Sequence, residues 1–538
     1  GAAAADALLA AAETSTDLEV ALRAGWLAAS IPLATGRESP DAARLLEAYA
    51  SSSDLRERIG VMPRLLRLDD DQGVESLARI VRLEREPLGS RIAAALIVQD
   101  WQPDDPYWPR MVPGMLAGLG NSNRPAARFL RGLAAATTEA SPVAAAAAAD
   151  TCGSAIDLLD TISTTATDAQ EGDGSSTAAL AGRVFRRCVA ALLAAQGRKA
   201  EALAAAGPLF SDSSQLVAAE RLADDLQWLA HHGLPEAVEL VSARLVDEAD
   251  PLVIYAAAVA WRQRPEAEAA ARAADLAARG RRLLEETAPL ERLTLAILLA
   301  RWGGSEWADE TYRGILAAAT RPGEAALTAI NYAEFLHDQD RDDRAAEVMR
   351  GILTADGQER EDLKQGLLQL DRDPRAVRSR MLFFAACAAD DEPTRRQLIE
   401  ESLKAYPDDV DSLIAAYRLT GDDPVRRAEV VAQITRTAAA LDRELKSLSF
   451  EPSLRNEYAW LIANTEGDLA KATRYSQESL EASADQASYL DTLAHCQAAA
   501  GRLEQAVRTQ WLAVKQEPHS LMIRRNFARF RSLAGGQP

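Results

Sequence analysis

The strongest constraint on this chain is a recurrence near its end. Gly467-Asp468-Leu469-Ala470-Lys471-Ala472 is matched by Gly501-Arg502-Leu503-Glu504-Gln505-Ala506, so Ala506 follows Ala472 by 34 residues. A period of about 34 residues accommodates two short helices and a turn. Such a unit cannot bury its own apolar face, so copies must stack into an array in which each touches its neighbours. At 538 residues the chain exceeds what one ordinary hydrophobic core organises, and an array escapes that limit.

Composition agrees with helices. Hydrophobic residues make up 48% but aromatics only 5%, so much of the apolar content is Ala and Leu, both strong helix formers. β-Branched and aromatic runs with period-two alternation are absent from the sequence. The chain reads as all-α. Its formal net charge is −20, and no basic stripe long enough for a phosphate backbone is present. Nucleic acid is therefore not expected as a partner, and the acidity reads as solubility of a long helical surface.

Cys152, Cys188, Cys387 and Cys496 form no CxxC and lie far apart, so neither metal spacing nor a disulfide framework is expected. The last three sit in apolar helical runs and read as small buried residues. No apolar run reaches the ~18 residues of a transmembrane helix. The chain opens at Gly1 without Met, which suggests a processed form, a fragment or a tag remnant. On that start the expected location is the cell envelope of a bacterium, with the cytoplasm as the alternative.

Residues 1–160 read as stacked helix pairs without a clean period, similar to a degenerate HEAT- or TPR-like array. Asp41–Ala50 and Val74–Leu83 have helical spacing, and Trp101-Gln102-Pro103-Asp104-Asp105-Pro106 is a turn. Residues 161–177 are rich in Ser, Thr, Asp and Gly and read as a flexible polar linker or loop. The array resumes at 178 and runs to 520. Gly197 precedes Ala202 as Gly501 precedes Ala506, and Ala308 and Ala345 are matching small residues in two further units. Ala190, Ala296, Ala333 and Ala494 each stand twelve positions before the small residue of their unit. Small side chains at this offset let paired helices cross closely, with Leu295, Tyr312, Tyr332, Met349 and Leu493 filling the flanks. The segment 363–443 is also helical, and Tyr406-Pro407-Asp408-Asp409 reads as an inter-unit turn.

The residues from Ser453 to Ser520 resemble two successive tetratricopeptide (TPR) units, 453–486 and 487–520. In the second, Leu490, Leu493, Ala494, Gly501, Ala506, Ala513 and Pro518 occupy consensus places, while Gln497 and Gln510 stand where an aromatic is usual. In the first, Gly467, Ala472 and Leu480 are in place, and Asn456–Ala463 resembles a helix common in TPR arrays near the ends of large bacterial proteins. The resemblance implies a right-handed α-solenoid of antiparallel helix pairs. It implies a non-enzymatic scaffold that binds a peptide or protein in its concave groove. The alternative is the C-terminal sensor or adaptor region of a larger bacterial enzyme or regulator. Met522–Leu533, with Ile523, Phe527, Phe530 and Leu533 on one stripe, reads as a capping helix followed by a tail, over 521–538.

Catalytic signatures are missing. No HExxH, P-loop or Ser-His-Asp pattern occurs among the five histidines, and no cofactor is expected. Asp338, Asp340 and Asp342 alternate like a calcium loop, but Asp343 stands at the glycine position and Met349 where a bidentate Glu belongs. What remains are groove residues. In a TPR array, positions two, five, nine and twelve of the first helix tend to face inward. That selects Asp491 and His495 in the last unit, Glu457 and Asn464 in the one before, and Glu334, His337 and the adjacent Asn331 further upstream. Asparagine there can pair with both the donor and the acceptor of a bound backbone. Chaperone-tail-binding TPRs grip carboxylates with Lys and Asn. The set here is acidic, so a basic or neutral protein partner is expected.

Overall fold

The computed structural model describes residues 186–535, apart from 211–217, 354–366, 368–372, 448–450, 483–485 and isolated positions before 250. The expected array over 1–160, the linker over 161–177, Cys152 and Cys188 lie outside the described residues. All regular structure among the described residues is helical. The chain divides into two compact units, Gly1–Gly280 and Arg281–Pro538.

In the first unit, α1 (Lys199–Phe210), α2 (Ala218–His231) and α3 (Pro251–Arg262) precede α4 (Ala267–Leu284), within which the division falls. A 3-10 stretch, Pro235–Val241, packs with α2 against α3. Helix α3 is buried continuously from Val253 to Trp261 because its sequence is apolar on every face. Its approach to α4 is close. A Cβ at Gly280 would stand 2.7 Å from the Tyr255 ring, so only a glycine leaves room for that tyrosine.

In the second unit the helices are α5 (Pro289–Arg301), α6 (Ser305–Ala318), α7 (Pro322–Asp338), α8 (Asp342–Leu353), α9 (Pro374–Ala388), α10 (Glu392–Ala405), α11 (Val410–Arg418), α12 (Pro424–Ser447), α13 (Pro452–Ala463), α14 (Leu469–Ala482), α15 (Ala487–Ala499), α16 (Leu503–Gln516) and α17 (Leu521–Gly535). Helices α5 and α6, α7 and α8, α9 and α10, α11 and α12, α13 and α14, and α15 and α16 pack as neighbours. Local chemistry sets where they start. Pro289, Pro322, Pro374 and Pro452 open helices, where a missing N–H costs nothing and the fixed φ is already helical. Asp373, Asp391 and Asp409 cap α9, α10 and α11, accepting from the N–H groups of Arg375, Thr394 and Ser412 at 2.8 Å. The turn expected at Tyr406–Asp409 thus joins α10 to α11.

The small residues expected at the helix crossings lie in the core. Ala190, Ala202, Ala296, Ala308, Ala333, Ala345, Ala472, Ala494 and Ala506 are each 0% exposed. Leu295, Tyr312, Tyr332, Met349 and Leu493 are buried beside them, with the Tyr312 and Tyr332 rings stacked at 5.2 Å. An enlarged side chain at such a crossing has nowhere to go. Ala494→Trp is expected to cost about 1–3 kcal/mol through overpacking. Thermal melting followed by circular dichroism checks this, and an unchanged melt would place the α15–α16 crossing elsewhere.

Five of the turns inside pairs follow one rule. Gly197, Gly303, Gly467 and Gly501 have positive φ, and each stands five residues before the buried alanine of the next helix. Asp340 occupies that place in the α7–α8 turn, with φ of 62°, as the one non-glycine among the described residues to do so. Aspartate tolerates this region better than most residues, yet at some strain. Its side chain is committed, since Arg525 donates to Asp340 at 2.7 Å.

Two expectations need correction. Cys496 is buried, but Cys387 is exposed and fills no core position. In α17, Ile523 and Phe530 are buried and Phe527 lies 5.2 Å from the Trp511 ring, whereas Leu533 points to solvent. The helix covers α15 and α16 with only part of its apolar stripe.

Candidate functional site

The crossing residues also define an inner wall. In α5, α7, α9 and α13 a fully buried small residue, Ala296, Ala333, Ser379 or Ala459, is followed by a side chain that turns inward: Ile297, Glu334, Arg380 and Trp460. These four line one cavity of about 640 Å³ in the second unit. The cause is geometric. A residue next to the crossing is rotated by ~100° about the helix axis and so leaves the interface for the concave side.

A polar network ties the wall together. Glu334 accepts two hydrogen bonds from Arg380, at 2.8 and 2.7 Å, and Arg380 also pairs with Asp411. Asp411 accepts from the Trp460 indole N–H at 2.8 Å. The guanidinium lies over the Phe384 and Phe383 rings at 4.8 and 4.9 Å. Burial works against charge at Asp411, but Arg380 and the indole hold its carboxyl below the usual range. Burial also opposes the Arg380 charge, while Glu334 and Asp411 drive its pKa well above the usual arginine value. Behind the wall, Ser379, Ser402 and Ser412 form a buried hydroxyl chain with 2.7 Å links, which joins α9, α10 and α11.

The far side of the cavity comes from the end of the same unit. Ser520 bonds Asp338, Gln339 donates to the His519 carbonyl at 3.3 Å, Arg301 pairs with Glu517 at 3.2 Å, and Arg525 pairs with Asp340. The α16–α17 turn therefore meets the turns that follow α5 and α7. The helices from α5 to α17 close on themselves and leave a lined hollow. Burial raises Asp338 to about 6. Among the lining residues, Glu334, Asp338, Asp411, Asp491 and Glu517 supply carboxylates against the guanidiniums of Arg301 and Arg380. Asn456 adds a buried amide oxygen without a protein partner.

The residues singled out in the sequence separate into three groups. Asn331, Glu334 and His337 all line the cavity. Asn331 also donates to the Leu327 carbonyl at 2.9 Å, and His337 contacts Asp342. Glu457 and Asn464 are not among the lining residues. The buried small residue of α13 is Ala459, one position earlier than the 34-residue spacing suggests, so Asn456 and Trp460 take the inward places instead. Glu457 is half-buried and raised to about 7 by burial and the nearby Asp411, Asp409 and Glu444 carboxylates, while Asn464 accepts from Arg418 at 2.8 Å. Asp491 and His495 keep the expected register but are covered by α17. Asp491 lines the cavity edge, accepts from Gln510 and Asn526, and is raised to about 6 by burial. His495 is wedged between Trp460 and Phe530, with ring centroids at 4.8 and 5.0 Å, and burial lowers it to about 3. It is a core residue rather than a groove residue. Arg380, Asp411 and Trp460 went unnoticed in the sequence, although the position after each buried small residue points to Arg380 and Trp460.

Solved tetratricopeptide-repeat structures are similar to this chain. The P58(IPK) TPR domain matches at 15% identity over 62% of this chain and 98% of that one, with a TM-score of 0.18. The APC/C hetero-tetramer Cut9–Hcn1 matches at 11% identity over 98% and 97%, with a TM-score of 0.26. The human IFIT1 dimer with m7Gppp-AAAA matches at 13% identity over 77% and 94%, with a TM-score of 0.19. No protein-family model matches the chain, and no curated protein does. At such TM-scores no residue role is carried from these structures to this chain. The all-α array of tetratricopeptide-like helix pairs rests on this chain's own helices, crossings and turns.

Proposed function

We propose that the second unit is a protein-interaction scaffold that takes a basic segment of another protein against its inner wall. The observation that carries this reading is the excess of negative charge around the cavity. Five carboxylates and the unpartnered Asn456 oxygen face two arginines. The carboxylates have protein donors, but their charge exceeds that of the two arginines; Lys or Arg side chains supply the balance, and a peptide N–H serves the Asn456 oxygen. A hollow of about 640 Å³ admits a few residues of a chain and not a folded domain. No described helix is long and apolar enough to cross a membrane.

The test is a peptide array probed with the purified chain, followed by calorimetry on the retained peptides. Lys- and Arg-rich peptides are expected to bind, and acidic ones are not. Asp411→Asn together with Glu334→Gln removes two charges while keeping shape, and is expected to weaken binding roughly tenfold, about 1.4 kcal/mol. Equal retention of acidic and basic peptides, or an unchanged affinity in the double variant, would remove the proposal.

A further inference from the structure

We propose that His337, Asp342 and Cys387 form a three-ligand site for a divalent transition metal of the zinc type, at the joint of α7, α8 and α9. An imidazole nitrogen, a carboxylate oxygen and a sulfur from these residues all lie within 4.8 Å of one another. They come from the last turn of α7, the first residue of α8 and the last turn of α9. No spacing rule finds such a set, because Cys387 is far from the other two in sequence and only the packing of α9 on α8 brings it in.

The donor types select the cation. A thiolate beside imidazole and carboxylate suits zinc and its neighbours in the transition series, whereas calcium and magnesium prefer oxygen alone. Donors around a tetrahedral zinc stand ~3.3–3.8 Å apart, given bonds of ~2.0–2.3 Å, so binding opens the His337–Asp342 contact and keeps the Cys387 sulfur at or a little inside its present range. His337 Nδ1 and Asp342 are already in contact. The Phe384 ring, 5.1 Å from the His337 ring, limits how the imidazole turns. Three protein ligands leave a fourth position for water or an added ligand.

The surroundings carry charges of both signs. Asp342 and Asp411 face the Cys387 sulfur and favour a dication, while Arg380 and Arg395 oppose one. A bound cation takes the thiol as thiolate. Cys387 is exposed, so packing does not account for it and an entry path exists. The site has a structural consequence. Its first two ligands bracket the turn whose Asp338 and Asp340 hold Ser520 and Arg525, so metal there would brace the closure of the unit.

Cobalt(II) is the probe. The full chain, stripped with chelator, is titrated with Co²⁺ and then with Zn²⁺. Uptake of one equivalent is expected, with near-ultraviolet thiolate-to-cobalt absorption that Zn²⁺ displaces. Cys387→Ser is expected to lose that absorption, and His337→Ala to bind at least ~10-fold more weakly, each with an unchanged helical circular-dichroism spectrum. Asp342→Asn, expected to weaken binding likewise, serves if either of these fails to fold. Absence of saturable Co²⁺ uptake by the unmodified chain, or thiolate absorption persisting in Cys387→Ser, would overturn the proposal.

Discussion

His495→Leu is expected to make the second unit more resistant to acid than the unmodified chain. His495 is 5% exposed and lies between Trp460 and Phe530, and its pKa is lowered from the usual 6.5 to about 3. Burial is the main cause, with Arg529 and Arg418 adding repulsion. The folded state therefore holds a neutral imidazole where the unfolded chain takes up a proton. Stability from this group is fully present above pH 6.5 and falls as pH drops toward 3. At pH 4 the deficit is roughly 3 kcal/mol, since each tenfold difference in proton affinity between the folded and unfolded chain is worth about 1.4 kcal/mol. Asp491 acts in the opposite direction. Its folded pKa of about 6 lies above the ordinary value, so its contribution is present below about pH 4 and is lost as pH rises through 6. The two largely offset each other between pH 6 and 4, and removing the histidine exposes the Asp491 limb. Urea-unfolding midpoints of both chains at pH 7 and pH 4 measure this. A stability difference between them that is the same at both values would mean that His495 titrates normally in the folded chain.

Arg380→Met is expected to cost about 2–3 kcal/mol at neutral pH. Methionine keeps an apolar stem over Phe383 and Phe384 but removes the one cation shared by Glu334 and Asp411. Breaking a fully buried pair typically costs about 3–5 kcal/mol. Here the Glu334 and Asp411 side chains are 44% and 31% exposed, so solvent screens part of the loss. Adding Asp411→Asn is expected to recover a large share, because the orphaned charge goes while an amide oxygen remains for the Trp460 N–H. Thermal melts of the single and double variants decide it. If the double variant is as unstable as the sum of the two single variants, Arg380 and Asp411 do not act as a pair.

Much of the helical framework is legible in the residues. The alanines at matched offsets mark crossings that the fold buries completely. Within the pairs, the positive-φ turns carry glycine at Gly197, Gly303, Gly467 and Gly501 because other side chains resist that conformation. The inner wall is legible in α7, where Glu334 and His337 follow from the position of Ala333. It is misread in α13 because the period slips there by one residue. With ~100° per residue, that slip takes Glu457 and Asn464 off the inward face, which Asn456 and Trp460 occupy. At Asp491 and His495 the register is right but the environment is different, since a later helix lies over them. No local pattern reports a cover supplied by another element.

Sequence alone determined that this chain builds helix pairs, where the pairs cross and which turns need a left-handed residue. Those outcomes depend on side-chain size and backbone sterics within one repeat. Tertiary structure alone decided that the second unit closes on itself, that Arg380 bridges two carboxylates, and that His337, Asp342 and Cys387 converge. These depend on small rotations accumulated from pair to pair, which bring distant positions together without leaving a spacing to read.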